Sequence, residues 1–193
     1  MLALLSMGPL HPYGMQRLIK SWGKDEVVNI GQRANLYKTI RRLHEAGLIA
    51  VHATERAQQY PERTVYELTE EGRETGRRWL RGMIAVPRNE YPTFPAALSL
   101  AMQLPPDELA ALLSTRLATV SGQLDRLDAD LQEYGGGLPR IALIETEYQQ
   151  AVVRAEVNWL AAVIGDLESG RLSWTYEQLA VQAQEDFSRA TES

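Results

Sequence analysis

Apolar residues at helical spacing mark three segments at the start of the chain. Residues 1–6 are apolar and predict the remainder of a first helix, which breaks at a Gly-Pro pair. Residues 13–22 and 31–46 carry apolar side chains every three or four positions, so each is predicted to be an amphipathic helix. Gly23 and Gly47 follow these two segments and are typical helix stops.

A hairpin and a further helix are predicted next. Residues 48–54 and 63–68 are short and favour strands, and the polar, proline-containing segment between them is typical of a turn. Thr69 is a helix-capping residue, and Glu70 and Glu71 after it favour the positive end of a helix dipole. Three helices, a two-stranded hairpin and another helix are the element order of a winged helix-turn-helix domain.

A heptad pattern dominates the second part of the chain. Three prolines over residues 86–95 predict a linker, and residues 96–103 predict a short apolar helix. The apolar positions that follow are separated by three and four residues alternately, which is typical of a coiled coil or of a helix pair packed like one. These positions are Ala110, Leu113, Leu117, Val120, Leu124, Leu127, Leu131 and Tyr134.

The last long segment, residues 139–168, is apolar on more than one face. One neighbouring helix of the same chain could not cover all of that surface, so a second subunit is the simplest cover. Residues 173–189 then predict a final amphipathic helix. The predicted fold is therefore mainly α, with a winged helix-turn-helix domain over residues 1–85 and a helical dimerisation domain, an antiparallel coiled coil, over residues 86–193.

Charge divides the chain at the same place. Residues 1–85 carry 13 Lys and Arg against 9 Asp and Glu, whereas residues 86–193 carry 7 against 16, which gives net charges of +4 and −9. A basic module beside an acidic one indicates that the first part meets a polyanion. Chance clustering would give the same numbers, so the motifs have to decide.

Composition and motifs exclude several other classes of protein. The chain has no cysteine, which rules out disulfides and thiolate metal sites, and no apolar stretch approaches the roughly 20 residues of a membrane span. The three histidines are scattered, and there is neither a glycine-rich phosphate loop nor a nucleophile elbow. We therefore expect a cytoplasmic protein without enzymatic activity, metal or cofactor.

Several motifs, in order along the chain, resemble the PadR family of transcriptional regulators. Residues 4–15 read LLSMGPLHPYGM and look like the opening of PadR-type regulators. Residues 35–49 begin with NLY and end with GLI, which is similar to the family's recognition helix and its exit, and residues 63–72 (RTVYELTEEG) resemble the second wing strand and the helix start after it. In the helical part, residues 156–160 (EVNWL) are similar to the long subfamily related to virulence activators.

The resemblance implies a homodimeric regulator, most simply a repressor, that binds a near-palindromic DNA operator through two winged helices. It also implies that a small aromatic or drug-like effector relieves repression in some members. Two departures affect these expectations. Asn35 stands where serine is usual, so base preference is expected to differ, and the chain begins inside the first helix, so a few ordering residues are expected to be missing.

The candidate DNA-binding residues lie mainly on the predicted recognition helix, away from its apolar stripe. With Leu36 facing the core, a step of about 100° per residue places Lys38 and Arg41 on the opposite side, with Arg42 beside them. Cationic side chains there suit phosphates or guanine edges, while Asn35 suits adenine or a backbone oxygen. The predicted set is Tyr13, Arg33, Asn35, Tyr37, Lys38, Arg41, Arg42 and Arg63.

Three of these residues rest on other arguments. The resemblance implies that the Tyr37 hydroxyl contacts a phosphate. Arg63 flanks a polar hairpin tip, residues 56–60, of the kind that reaches the DNA backbone or the minor groove. Tyr13 begins the second helix near the DNA side, where a phosphate contact and a core position are both open.

Dimerisation and effector binding are assigned to the helical part and to two tryptophans. An effector that is planar and apolar could stack on Trp79 or Trp159, although tryptophans at such positions are more often core residues. The predicted dimerisation residues are Leu113, Leu117, Val120, Leu124, Leu127, Leu131 and Trp159.

Two functions of other classes remain to be distinguished. In the first, the helical domain docks a protein partner and the basic helix has no specific DNA target. Salt-dependent binding to promoter DNA would separate that function from a regulator. The second is a small hydrolase, for which the sequence supplies no nucleophile–base pair.

Overall fold

The chain divides into two units, Met1–Asn89 and Glu90–Ser193, each of which is described by itself. The computed structural model describes residues 1–24, 33–55, 63–175 and 177. The predicted hairpin tip and nearly all of the predicted final helix, residues 173–189, therefore lie outside the described residues.

The N-terminal unit has the element order that the sequence predicts, which confirms the winged helix-turn-helix. Its core forms where the apolar stripes of the helices meet the sheet, and Met15 and Ile49 are less than 2% exposed there. The described elements are α1 (Leu2–Leu5), α2 (Pro12–Ser21), α3 (Arg33–Glu45), β1 (Ile49–Glu55), β2 (Arg63–Leu68) and α4 (Glu70–Ala85).

The two strands pair antiparallel and form the base of the wing. The register runs from Ile49 opposite Leu68 to Glu55 opposite Arg63, with a bulge at His52. The His52 ring nitrogen Nδ1 lies 2.7 Å from the Glu67 carboxylate across the two strands. A bulge of this kind bends the strand and increases its twist.

A third, one-residue segment joins this sheet from the turn before α2. The Leu10 amide donates to the Tyr66 carbonyl at 2.9 Å, and the Tyr66 amide donates to the Leu10 carbonyl at 3.0 Å. The turn that follows begins α2, because the His11 ring accepts a hydrogen bond from the Gly14 amide at 2.8 Å and Pro12 occupies the first helical turn.

Thr69 fixes the start of α4 relative to the end of α3. Its hydroxyl accepts from the Gly72 amide at 3.0 Å and donates to the Gly47 carbonyl at 2.8 Å. Gly47 has a φ of +70°, which is the left-handed conformation that ends helices and that glycine adopts without strain. One side chain thus joins a helix stop to a helix start.

The C-terminal unit is built on two long helices, and two predicted helix starts in it are wrong. The second long helix begins at Ile144 rather than at residue 139, because a 3₁₀ turn at Arg140–Ala142 precedes it. A short helix begins at Thr93 rather than at residue 96, because Pro95 is accommodated in its first turn, where its missing amide costs nothing. Residues 101–103 are a separate 3₁₀ turn. The helices of the described part are α5 (Thr93–Leu98), α6 (Pro106–Tyr134) and α7 (Ile144–Glu168), with a second 3₁₀ turn at Arg140–Ala142.

Helices α6 and α7 pack against each other as an antiparallel pair. Arg116 near the start of α6 donates to Glu156 on α7 at 2.6 Å, whereas Asp128, further along α6, accepts from Arg154 at 2.8 Å and also from Gln150. The buried apolar residues between the two helices are Leu109, Leu113, Val120, Leu127, Val153, Leu160, Ile164 and Leu167. The heptad pattern on α6 thus packs on α7 of the same chain.

In the described part of the chain, no helix combines the length and the apolar character that crossing a membrane requires.

Candidate nucleic-acid interface

Helix α3 is amphipathic, and its buried face fixes the direction of its exposed one. Leu36, Ile40 and Leu43 are 5%, 3% and 9% exposed and belong to the core of the N-terminal unit. Spacings of three and four residues place these side chains on one stripe. The residues between them must therefore point to solvent.

The outward face of α3 is cationic. Lys38, Arg41 and Arg42 are all exposed, as the sequence predicts from the position of Leu36. Arg41 lies 3.8 Å from Glu45, a long contact between side chains that are 71% and 65% exposed, which holds it weakly. Within the described residues, neither Lys38 nor Arg42 has an ion-pair partner, so both are available to an external anion.

Asn35 and Tyr37 lie on opposite flanks of this face. Tyr37 is 57% exposed, so its hydroxyl can reach a partner outside the fold. Asn35 is also exposed, and its backbone carbonyl accepts a hydrogen bond from the Thr39 hydroxyl at 2.8 Å. Both Asn35 and Thr39 also line a cavity of the N-terminal unit, which the sequence did not indicate.

Tyr13 points to solvent rather than into the core. It is 52% exposed, and its ring stacks on His11 with 6.2 Å between ring centroids and an interplanar angle of 10°. His11 is itself held as the cap of α2. Of the two roles left open for Tyr13, the structure favours a contact outside the fold.

Two predicted arginines each begin an element of the N-terminal unit. Arg33 is the first residue of α3 and Arg63 the first of β2. Their side chains lie outside the described part of the structure, as does the whole of the predicted hairpin tip, residues 56–60.

Two contacts at the base of the wing are not predicted by the sequence. The contact of His52 with Glu67 lies at the bulge, which no pattern in the sequence marks. The bridge between Leu10 and Tyr66 involves backbone groups and has no side-chain signature at all. The one signal in the sequence was the proline before Leu10, which disfavours a helix at the residue preceding it.

The two predicted effector residues lie in different units. Trp79 is 49% exposed and lines the cavity between α1, α3 and α4. Trp159 is 44% exposed on α7, where its ring meets Phe94 edge-on at 6.1 Å between centroids. Phe94 also carries the Arg116 guanidinium over its face at 3.6 Å. These contacts attach α5 to the two long helices.

Helix α7 carries a second apolar stripe on the side away from its buried one. These exposed side chains follow the same alternation of three and four residues as a coiled-coil seam. The stripe, which we call the outer stripe, consists of Tyr148, Val152, Ala155, Trp159 and Ala162.

The N-terminal unit matches a known protein family. Residues 1–78 match the family model described as the transcriptional regulator PadR-like family. A search of curated proteins finds no match for the chain. The family consists of transcriptional regulators rather than enzymes, in agreement with the expectation from the sequence.

Solved structures extend the likeness of fold over most of the chain. Bacillus subtilis PadR in complex with operator DNA has 18% sequence identity and a TM-score of 0.70, over 86% of this chain and 96% of that one. The same protein in complex with p-coumaric acid has 19% identity and a TM-score of 0.66, over 86% and 95% of the two chains. The Vibrio cholerae virulence activator AphA has 17% identity and a TM-score of 0.61, over 87% and 95%. The N-terminal part of this chain, residues 1–78, therefore resembles the transcriptional regulator PadR-like family.

Proposed function

We propose that this chain is a homodimeric, ligand-responsive repressor that works in the cytoplasm and binds a near-palindromic DNA operator with two copies of α3. The observation that carries the proposal is the exposed cationic face of α3, within a domain of a family of transcriptional regulators. Phosphate neutralisation by such side chains supplies most of the affinity of proteins for DNA.

The residues of α3 divide the work of binding by their chemistry. Lys38, Arg41 and Arg42 contact phosphates or guanine edges, and Asn35 reads a base because its amide can donate and accept at once. Tyr37 and Tyr13 each offer a hydroxyl to the DNA backbone. Arg33 and Arg63 complete the proposed contact set on the basis of the sequence.

Dimerisation is proposed to use the outer stripe of α7. Leu113, Val120 and Leu127 are buried between α6 and α7 of one chain, so they stabilise the pair of helices that presents this stripe. The exposed Trp159 lies near its middle, where a large aromatic side chain contributes most to an interface. A two-fold axis would then place the two α3 helices in successive major grooves, about 34 Å apart.

Ligand responsiveness is the third part of the proposal. Its support is the Bacillus subtilis PadR structure with p-coumaric acid, together with the cavity that Trp79 lines. A small aromatic effector bound to the free protein would lower its affinity for the operator, and the operator would lower the affinity for the effector by the same factor.

Selection of DNA from a random pool tests the central claim. The purified protein is incubated with random duplexes at low and at high salt, and the bound fraction is amplified and sequenced. We expect enrichment of two half-sites related by two-fold symmetry, with affinity that falls steeply as salt rises. A pool that stays random while the protein remains folded would favour the alternative, a protein-interaction module.

A further inference from the structure

Helix α3 carries a single carboxylate on its cationic face. Glu45 is nine residues from the buried Leu36, and a step of about 100° per residue then points its side chain directly away from the core, as it does that of Lys38 two turns earlier. Glu45 is exposed. The other charged residues of α3 are all Lys or Arg, and α2 contains no acidic residue. A negative charge therefore lies within the surface that is proposed to contact DNA.

The stability of α3 does not account for this carboxylate. Glu45 is the last residue of the helix, where the negative end of the helix dipole disfavours an acidic side chain. Its ion pair with Arg41 spans four residues with the arginine first, which is the less favourable order. A carboxylate at this place also repels DNA phosphates. Glutamate at position 45 thus weakens both the helix and its general affinity for DNA, which points to a contact that only some DNA sequences supply.

Arg41 and Glu45 lie side by side with their hydrogen-bonding groups uncommitted. The Arg41 Nε and the Glu45 Oε1 are 3.8 Å apart, which is beyond hydrogen-bond distance. Among the described residues, neither side chain has a hydrogen-bond partner, so the N–H donors of the guanidinium and both oxygens of the carboxylate stay available. The two side chains therefore present donors and acceptors next to each other, on successive turns of one helix.

Neighbouring donors and acceptors of this kind match the major-groove edge of a G·C base pair. Guanine presents two acceptors there, O6 and N7, which suit the paired donors of an arginine. Cytosine presents the N4 amino donor, which suits a carboxylate. Thymine and guanine offer acceptors and no donor in this groove, so they repel a carboxylate. An arginine and a glutamate on successive turns therefore favour guanine for the first and cytosine for the second.

We propose that Arg41 and Glu45 together read G·C base pairs, with the Arg41 guanidinium on a guanine and the Glu45 carboxylate on the N4 amino group of a cytosine, in the same or the adjacent pair. On other sequences Glu45 lowers affinity, because its charge meets phosphates and acceptor edges without a donor. Each half-site of the operator therefore contains a cytosine at one fixed position. This inference rests on the proposed function, since it concerns the DNA that α3 binds.

Selection from random duplexes with matched variants of the full chain tests the proposal. E45A is compared with E74A, which removes the same charge from an exposed position on α4. We expect the wild type and E74A to enrich one half-site with a fixed cytosine, and E45A to enrich that half-site without it. R41A should weaken the preference for guanine at the same or the adjacent pair. R42A should keep both base preferences and bind all duplexes more weakly.

Titration of defined duplexes measures the size of each effect. Exchange of the cytosine for thymine in each half-site of the selected operator should weaken the wild type at least about fivefold more than it weakens E45A, the lower end of what a good base contact contributes. On a scrambled duplex at low salt, E45A should bind about twofold to fivefold more tightly than the wild type, because it removes an exposed charge from the contact surface. E74A should bind both duplexes like the wild type. Circular dichroism verifies the fold, and E45Q, which keeps the shape of the side chain, serves if E45A alters it.

Two results would overturn the reading of cytosine and leave the proposed function intact. If E45A binds every duplex more tightly by the same factor and selects an unchanged half-site, Glu45 acts only by general repulsion. If E45A and E74A behave alike, Glu45 lies outside the contact surface. A different result separates the two levels: if the folded wild type binds no duplex at any salt concentration, it is the proposed function that fails, and the inference fails with it.

Discussion

Gly72 occupies a position where no side chain fits. A Cβ atom added there would lie 1.9 Å from the Leu48 carbonyl oxygen, so the backbone of α4 or of the segment before β1 would have to move. Gly72→Ala should therefore lower the free energy of unfolding by roughly 1–3 kcal/mol, the usual cost of overpacking. Urea unfolding of the full chain measures it.

Gly82 on the same helix provides the matched control. Nothing lies within 4 Å of a Cβ atom built there. Gly82→Ala should be neutral or stabilise the protein by up to about 1 kcal/mol, because alanine favours helix more than glycine does. Equal destabilisation by the two substitutions would show that the close approach of Leu48 to α4 is not what constrains position 72.

The salt dependence of DNA binding distinguishes residues of α3 that contact phosphates from residues that contact bases. Arg42 is exposed and outside the core, so Arg42→Ala should leave the fold intact and weaken binding to all DNA sequences alike. The log–log salt slope should fall by about 0.9 for each phosphate that the variant no longer neutralises. Anisotropy titrations at several salt concentrations measure the slope. Lys38→Ala should behave in the same way.

Asn35→Ala is the comparison for these charge variants. It removes no charge, so the salt slope should stay nearly unchanged, while the free energy of binding to the selected operator becomes less favourable by roughly 1–3 kcal/mol. Wild-type affinity and slope in both Arg42→Ala and Lys38→Ala would show that α3 does not contact DNA.

Single residues of the site were predictable where one periodic stripe determines direction. The position of Leu36 was enough to place Lys38, Arg41 and Arg42 in solvent. The position of Asn35 beside the cavity was not predictable, because that cavity is formed by α1 and α4 as well as by α3. Contacts between distant elements leave no trace in the spacing of one of them.

At the level of elements, the pairing of α6 with α7 is stabilised by a continuous apolar seam. Leu160 is 0% exposed in the middle of it. Leu160→Ala should therefore cost about 2–5 kcal/mol of unfolding free energy, as deletion of a fully buried leucine side chain does. Thermal unfolding followed by circular dichroism measures the loss.

Leu112 on α6 is the control for this substitution. It is 52% exposed, so Leu112→Ala should change stability far less than Leu160→Ala does. A similar loss in both variants would mean that the seam does not dominate the stability of this pair.

Helix boundaries were predictable where capping residues and glycines mark them. They were not predictable where a proline could belong either to a linker or to the first turn of a helix. Thr69 and Gly47 mark the start of α4 and the end of α3 correctly. Pro95 was interpreted as part of a linker, whereas it lies within the first turn of α5. Proline is favourable in both settings, so local chemistry alone could not decide.

At the scale of the whole molecule, the proposed dimer can be tested by a substitution that does not disturb the packing between α6 and α7. Val152 lies on the outer stripe and is 48% exposed, so Val152→Asp should leave the chain folded and place an unpaired charge in the subunit interface. We expect sedimentation to show a folded monomer at micromolar concentration, with much weaker binding to a two-half-site operator.

Ala161 is the matched position on α7, exposed but off the outer stripe. Ala161→Asp should remain dimeric. Dimers of wild-type affinity in both variants would place the subunit contact elsewhere on the chain.

The heptad periodicity of α6 did not determine whether the helix packed against it belongs to the same chain or to a second subunit. The alternation along α6 predicts a packed helix pair equally well within one chain or between two. Only the structure shows that Leu113, Val120 and Leu127 meet α7 of their own chain. The apolar character of α7 on several faces did indicate a further surface, and the exposed Trp159 lies on it.

The hydrogen-bond bridge between Leu10 and Tyr66 has a consequence for the time course of folding. The two residues are distant in sequence, so their contact closes a long loop and is expected to form late, after the helices between them have come together. Once the bridge has formed, its hydrogen bonds protect the two amides from exchange with solvent until this contact opens. In hydrogen-exchange pulse-labelling during refolding, we therefore expect the Leu10 and Tyr66 amides to become protected at the same time, and later than the amides inside α3. Their protection would then report when the domain has finished folding.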